Sequence, residues 1–258
     1  MEKKYKLSNN TIKYKGITLH RIEALKNFGD VKAGDLGGFV ESENNLSQDG
    51  NCWIYDDSKV CNRAKVLDNA ALYDSASIYE NAIICDCATI LHRATVCGKA
   101  GVHNNARVSG YACIDGYATI KDRAIISDYA NISDDCCVCE NAVVCGYSEL
   151  LNNACISDKV IIRNSIVDNT IISGYATICN TEIYSKKDYI VFKNWWSSGR
   201  YFTWTRNNNM WNVGCFYGTG KELIEKAYQD SKEKGIEYER VVNYVNSIIA
   251  TKNEKESI

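Results

Sequence analysis

A six-residue period constrains this chain more than any other feature. Residues 57–158 divide without insertion into 17 hexads, from DSKVCN and RAKVLD through to YSELLN and NACISD. The fourth position is Val, Ile or Leu in all 17, and the second is Ala in 14, with Ser58, Cys136 and Ser148 as the exceptions. The sixth is Gly, Asp or Asn in 14, with Glu80, His92 and Glu140 in the remaining units. A period of six fits neither the 3.6-residue face of a helix nor a simple hairpin stack. Positions two and four share parity, so in an extended strand they point the same way. A large aliphatic residue beside Ala suits a narrow triangular interior, the aliphatic at the centre and Ala near the corner. The sixth position collects the residue types that best tolerate positive φ, as a sharp corner demands. Three strands and three corners then close a coil of 18 residues.

Such coils stack as parallel strands roughly 4.8 Å apart. The run from Asn51 to about Asn180 predicts about seven of them, a prism on the order of 34 Å tall. The absence of Pro from all 258 residues agrees, because nearly every backbone N–H inside the stack is needed by a neighbour. After KVIIRN come two five-residue units, SIVDN (165–169) and TIISG (170–174), then YATICN (175–180), which predicts a narrowing or bend.

The aliphatic-and-small hexad resembles the hexapeptide-repeat, left-handed parallel β-helix superfamily. The resemblance covers half the chain and implies that fold and that hand. Here the Gly, Asp or Asn falls two residues after the aliphatic, whereas the commoner form has Gly one after. The run LHRIEALKNFGDVKAGDLGGFVESENNLSQDGNCWIYDDSKV is similar to the N-terminal signature of uncharacterised bacterial and prophage β-helix proteins often labelled transferases. That likeness implies a phage or mobile-element setting and supplies no catalytic residues.

Residues 1–50 read as an N-terminal β cap. KYKLSNNTIKYKGITLHRIEAL alternates like strands, with Asn9-Asn10 and Lys15-Gly16 as turns. Gly29, Gly34, Gly37, Gly38 and Gly50 mark tight turns leading into the first coil of the 51–185 β-helix. Residues 186–250 form a small aromatic-rich β3α2 module, and 251–258 a frayed tail. DYIVFKN, RYFTWTR and MWNVGCFYG are its strands; Thr219 and Glu222 make a capping box, and Gly235 ends the first helix. Leu223, Ile224, Ala227, Tyr228 and Ser231 share one face of that helix, and Tyr238, Val241, Val242, Val245, Ile248 and Ile249 one face of the second.

Charge is spread unevenly: residues 51–185 carry 10 Lys and Arg against 16 Asp and Glu, and residues 186–258 carry 12 against 9. No segment is basic enough to predict nucleic-acid binding. No apolar run spans a bilayer and no signal peptide precedes Met1-Glu2-Lys3-Lys4, so a cytoplasmic, membrane-free protein is expected. Its 13 cysteines then read as free thiols.

A hexapeptide-class acyltransferase is the activity that the fold resemblance invites, with a catalytic His at a subunit interface. The prism offers His92, at a corner, and His103, pointing outward; no loop interrupts residues 51–164. A three-His zinc site of the β-helical carbonic-anhydrase kind is short of ligands. Cys136, Cys137 and Cys139 form CCxC and Cys85 and Cys87 form CxC, while Cys137 and Cys155, 18 apart, stack on adjacent coils. The paired CxxC spacing of ordinary zinc sites is missing. GTGKE (218–222) lacks the upstream Gly and the Ser or Thr of a phosphate-binding loop and reads as a helix cap. No metal or cofactor is expected.

The outer faces carry more. Tyr111, Tyr129 and Tyr147 repeat at 18-residue intervals as an edge ladder, with Tyr117 nearby, and Ile125, Val143 and Ile161 form an outward stripe. Exposed apolar ladders mark interfaces, and a homodimer or homotrimer is the first expectation. Trp195, Trp196, Arg200, Tyr201, Trp204, Arg206 and Trp211 have the composition of a partner hot spot, with core packing as the competing explanation for part of the set. The expected function is a non-enzymatic, phage-type binding scaffold presenting this module to a partner, for instance a host defence protein. Acyl transfer to a small molecule, and sequestration of a nucleotide signal, are the alternatives.

Overall fold

A computed structural model describes residues 3–195 and 198–253. Its body is a hexapeptide-repeat parallel β-helix of eight turns, as the period requires. Two-residue rungs, a few of them three, stack into three parallel sheets at the spacing of the repeat. Face one runs from Lys59–Val60 to Glu182–Ile183, face two from Lys65–Val66 to Ile171–Ile172, and face three from Trp53–Ile54 to Thr177–Cys179. Thr119, for example, pairs with Gly101 below and Cys137 above. The second- and fourth-position residues from Ala64 to Ile126 are fully buried and form one continuous core. The five-residue units shorten the last turn without breaking the stack: Ile156 pairs with Ile172 and Val167 with Ile183, each 16 residues on.

Every sixth-position residue from Asn62 to Asp158 has positive φ. Tolerance of that conformation is only half the reason for Asp and Asn there. Their side chains also accept a hydrogen bond from the backbone N–H of the corner above. Asp56 takes Asp74 N at 2.9 Å, Asp86 takes Asn104 N at 2.8 Å and Asp128 takes Gly146 N at 2.9 Å. Glu80 and Glu140 act alike towards Gly98 and Asp158. His92 joins the ladder: its Nδ1 accepts Gly110 N at 3.2 Å, which places the ring proton on Nε2.

At the base, β1 (Tyr5–Tyr14) and β2 (Ile17–Ala24) form an antiparallel hairpin that continues through β3 (Leu36–Val40) into face one. Lys15 and Gly16 make its turn, both at positive φ. Asn9-Asn10 is not a turn; a register shift between Leu7 and Thr11 absorbs these residues as a bulge within β1. Gly37 and Gly38 are not turn residues either: both lie in β3, where a Cβ on Gly37 would sit 2.6 Å from Ile22 Cγ1. β3 is already a rung, and Leu46 bridges Val66, so winding starts inside the first 50 residues. The open end is plugged by side chains. Lys4 Nζ donates to the carbonyls of Asp49, Gly50 and Cys52 at 3.1–3.3 Å, and Tyr5 Oη donates to Leu46 O at 2.7 Å.

At the far end stands a four-stranded antiparallel sheet, Tyr189–Lys193, Tyr201–Thr205, Met210–Val213 and Phe216–Thr219, packed by α1 (Gly220–Asp230) and α2 (Lys232–Asn253). MWNVGCFYG is two strands, because Gly214 turns the chain at positive φ. The Thr219–Glu222 capping box forms. Gly235 does not end α1: that helix stops at Ser231, and Gly235 lies in the first turn of α2. A Cβ there would fall 2.2 Å from Tyr228, so Gly is needed for the close approach of the helices. The sheet lies across the last rungs of the prism, where Thr203 Oγ1 accepts Thr177 N at 3.0 Å and Asn208 Nδ2 donates to Cys179 O and Asn180 O.

Candidate functional site

Parallel stacking turns an 18-residue recurrence into a column of side chains. Tyr111, Tyr129 and Tyr147 stack ring on ring along one corner, with centroids 5.0 and 4.9 Å apart and planes within 6° of parallel. They stay 51%, 50% and 70% exposed. Arg93 continues the column, its guanidinium 5.7 Å from the Tyr111 ring. Ile125, Val143 and Ile161 are register partners on face three, which leads into this corner. Ile125 is exposed and the other two half-buried. Small residues, Ser127 and Cys145, separate stripe from ladder. Tyr117 belongs elsewhere: it stands at the next corner, where Lys99 Nζ donates to its hydroxyl at 2.7 Å.

The aromatic residues of the C-terminal module do not form one cluster. Trp204 and Trp211 are register partners, 3% and 2% exposed, and build the module's own core with Phe202, Leu223 and Val245. Tyr201 stacks on Tyr175 of the prism with centroids 4.1 Å apart and joins the two regions. Trp195 is 70% exposed in a turn, with Lys193 Nζ 3.7 Å from its ring centroid. Arg200 lies along Gly214. Arg206 lines a different hollow, a cavity of about 220 Å³ walled by Ile190, Trp204 and Ile249 and edged by Lys186 and Lys187. Trp196 lies outside the described residues.

The thiols are all free, and the geometry groups some that the sequence reading left apart. His103 does face outward, and its Nδ1 meets Cys85 Sγ at 3.0 Å. Burial and the neighbouring Asp86 carboxylate push the Cys85 thiol up to about 11, so this pair is not an activated nucleophile. Cys137 pairs with Cys155, and burial with the neighbouring Cys139 pushes Cys137 up to about 12. On face one, the neighbouring Cys97 thiol holds the Cys113 thiol below the usual cysteine range. Cys85 with His103 and Cys97 with Asp115 are each 18 apart, so the spacing that exposed the Tyr ladder, applied to the fifth position, would have found them.

Fold and surface together define a hexapeptide-repeat β-helix capped at both ends, with an exposed aromatic edge. No family model matches the chain. It is 46% identical over 46 residues, 18% of its length, to a protein named uncharacterized acetyltransferase YdcK from Escherichia coli (strain K12). The match covers 14% of that relative's length. Among the described residues no helix is long and apolar enough to cross a membrane.

Proposed function

We propose that this protein is a cytoplasmic binding scaffold whose prism self-associates, as a dimer or trimer, along the Tyr111–Tyr129–Tyr147 edge. The observation that carries the reading is the ladder itself, three stacked phenols held at least half exposed beside the Ile125 stripe. Stacking fixes the rings before any partner arrives, so little side-chain entropy remains to be lost on docking. Aromatic residues of this kind are the usual anchors of protein interfaces. The C-terminal module, carried at the far end, offers Trp195 and Arg200 to a second protein. Nothing in the fold or in the similarity points to a phage setting or to a host defence protein as that partner.

Native mass spectrometry of the intact chain tests this. The wild type is expected as a discrete homo-oligomer, and the variant Tyr111→Ser/Tyr129→Ser/Tyr147→Ser as a folded monomer. A monomeric wild type, or an oligomer indifferent to the triple change, overturns the reading. Acyl transfer to a small molecule is the second reading; its support is the identity shared with a protein named an acetyltransferase. A retained adduct of acyl-CoA mass in the same spectrum would favour it, and one of nucleotide mass would favour sequestration of a nucleotide.

A further inference from the structure

The loop that leaves the prism, the first two strands of the C-terminal sheet and the last turns of α2 enclose the cavity of about 220 Å³ onto which Arg206 opens. Its wall is apolar. Ile190 and Ile249 give it aliphatic surface, and Trp204 brings no free donor, because its indole N–H is already given to Asn209 Oδ1 at 2.9 Å. Its mouth is cationic, for Lys186, Lys187 and Arg206 meet there. Among the described residues none of these three forms an ion pair, although the same module pairs Lys234 with Asp230 at 3.3 Å and Arg240 with Glu237 at 2.7 Å. The adjacent carboxylate, Asp188, is turned onto its own loop, where Oδ2 accepts Tyr184 N at 2.9 Å and Ser185 N at 2.7 Å. The loop is held in place: Lys187 N donates to Ser185 Oγ at 3.2 Å, and Arg206 N donates to Asp188 O at 2.7 Å, which ties the two lysines to the arginine.

An apolar wall and an unpaired positive rim ask for the two halves of one molecule. Like charges held at one mouth repel one another, and an anion placed among them relieves the repulsion. A hydrocarbon that enters the cavity gains by leaving water. Neither half uses the whole site alone, since an inorganic anion leaves the wall wet and a neutral hydrocarbon leaves the rim unpaired. We propose that this cavity binds a small organic anion, an acidic head such as a carboxylate on an aliphatic or aromatic body. The body lies against Trp204, Ile190 and Ile249, and the head lies among Lys186, Lys187 and Arg206. The volume limits the body. A cavity of about 150 Å³ holds benzene, and sites for drug-sized ligands begin near about 300 Å³, so a ligand of about ten non-hydrogen atoms fits here. The site shares no residue with the Tyr edge, so it stands or falls apart from self-association.

Calorimetric titration of the intact protein with octanoate, octanol and octylammonium tests this, because the three share a chain and differ in charge. At low salt octanoate is expected to bind at a single site, with Kd on the order of a millimolar or below. It should bind about tenfold more tightly than octanol, with octylammonium weakest, and added salt should narrow the gap. Lys186→Ala/Lys187→Ala/Arg206→Ala changes exposed side chains only. It should bring octanoate down to the affinity of octanol and leave octanol unchanged. Ile249→Trp, which fills the cavity, should abolish binding of both. Tyr111→Ser/Tyr129→Ser/Tyr147→Ser should alter neither. If Ile249→Trp does not fold, the triple alanine variant decides alone. Octanoate that fails to bind at millimolar concentration, equal affinity for octanoate and octanol, a preference that survives the triple alanine change, or binding that survives in a folded Ile249→Trp would overturn the proposal.

Discussion

The prism and the C-terminal module bury apolar side chains by opposite routes. In the prism each buried residue meets the same residue type one turn above and one turn below. Val102 lies between Ile84 and Ile120, so a turn contacts only its neighbours. Stability in such a stack accumulates turn by turn. In the module, Phe202, Trp204 and Trp211 come from antiparallel strands, and Leu223, Tyr238 and Val245 from two helices. No local period links these positions, and each is needed by all the others. The difference teaches that aromatic content is a poor guide to binding surface where the core is small. A module of this size needs its tryptophans inside, whereas a prism filled with Ala and Ile leaves its tyrosines outside.

The largest effect that can separate the two regions is expected from Trp211→Ala, at about 4 kcal/mol. Thermal unfolding followed by tryptophan fluorescence should lose the module transition at lower temperature. The far-UV signal of the prism should hold. Coincident loss of both signals would show that the regions form one cooperative unit. Lys4→Met comes next, at about 2–3 kcal/mol, since three carbonyls lose a charged donor at the open end. Chemical denaturation should show this loss in the prism transition, with no change in the module.

The corner ladder gives a finer contrast. Asp128→Ala forfeits the bond to Gly146 N and puts a Cβ without compensation at φ 62°, for about 2 kcal/mol in all. Asp128→Gly loses the bond and relieves the strain, so it should cost well under half as much. Equal costs would mean that the side-chain acceptor, and not the backbone conformation, selects Asp there. The smallest effect is chemical. With its pKa raised to about 11, Cys85 holds little thiolate near neutrality. Its alkylation should stay slow at neutral pH and quicken as pH rises towards that value. Fast modification at pH 7 would mean that His103 activates it after all.

Most of the prism was legible because its tertiary neighbours are fixed sequence distances apart. The hexad named the core residues, the corners and the Tyr column, and the ladder at Tyr111, Tyr129 and Tyr147 stacks as that spacing required. Lys4 was not legible: a lysine at a chain start reads as solvated until an open coil presents three carbonyls to it. Nor was the fate of the Trp cluster, because composition does not say which face of an antiparallel strand meets a helix. Gly37 and Gly235 were misread for a related reason. A glycine required for close approach of two segments looks, in one dimension, like a glycine required for a turn. What the sequence determined by itself was everything that repeats, since a parallel stack converts period directly into contact. What only the tertiary structure decided was how the stack ends, and which aromatic residues the C-terminal module buries. Those contacts join positions related by no period, and only the packed backbone brings them within bonding distance.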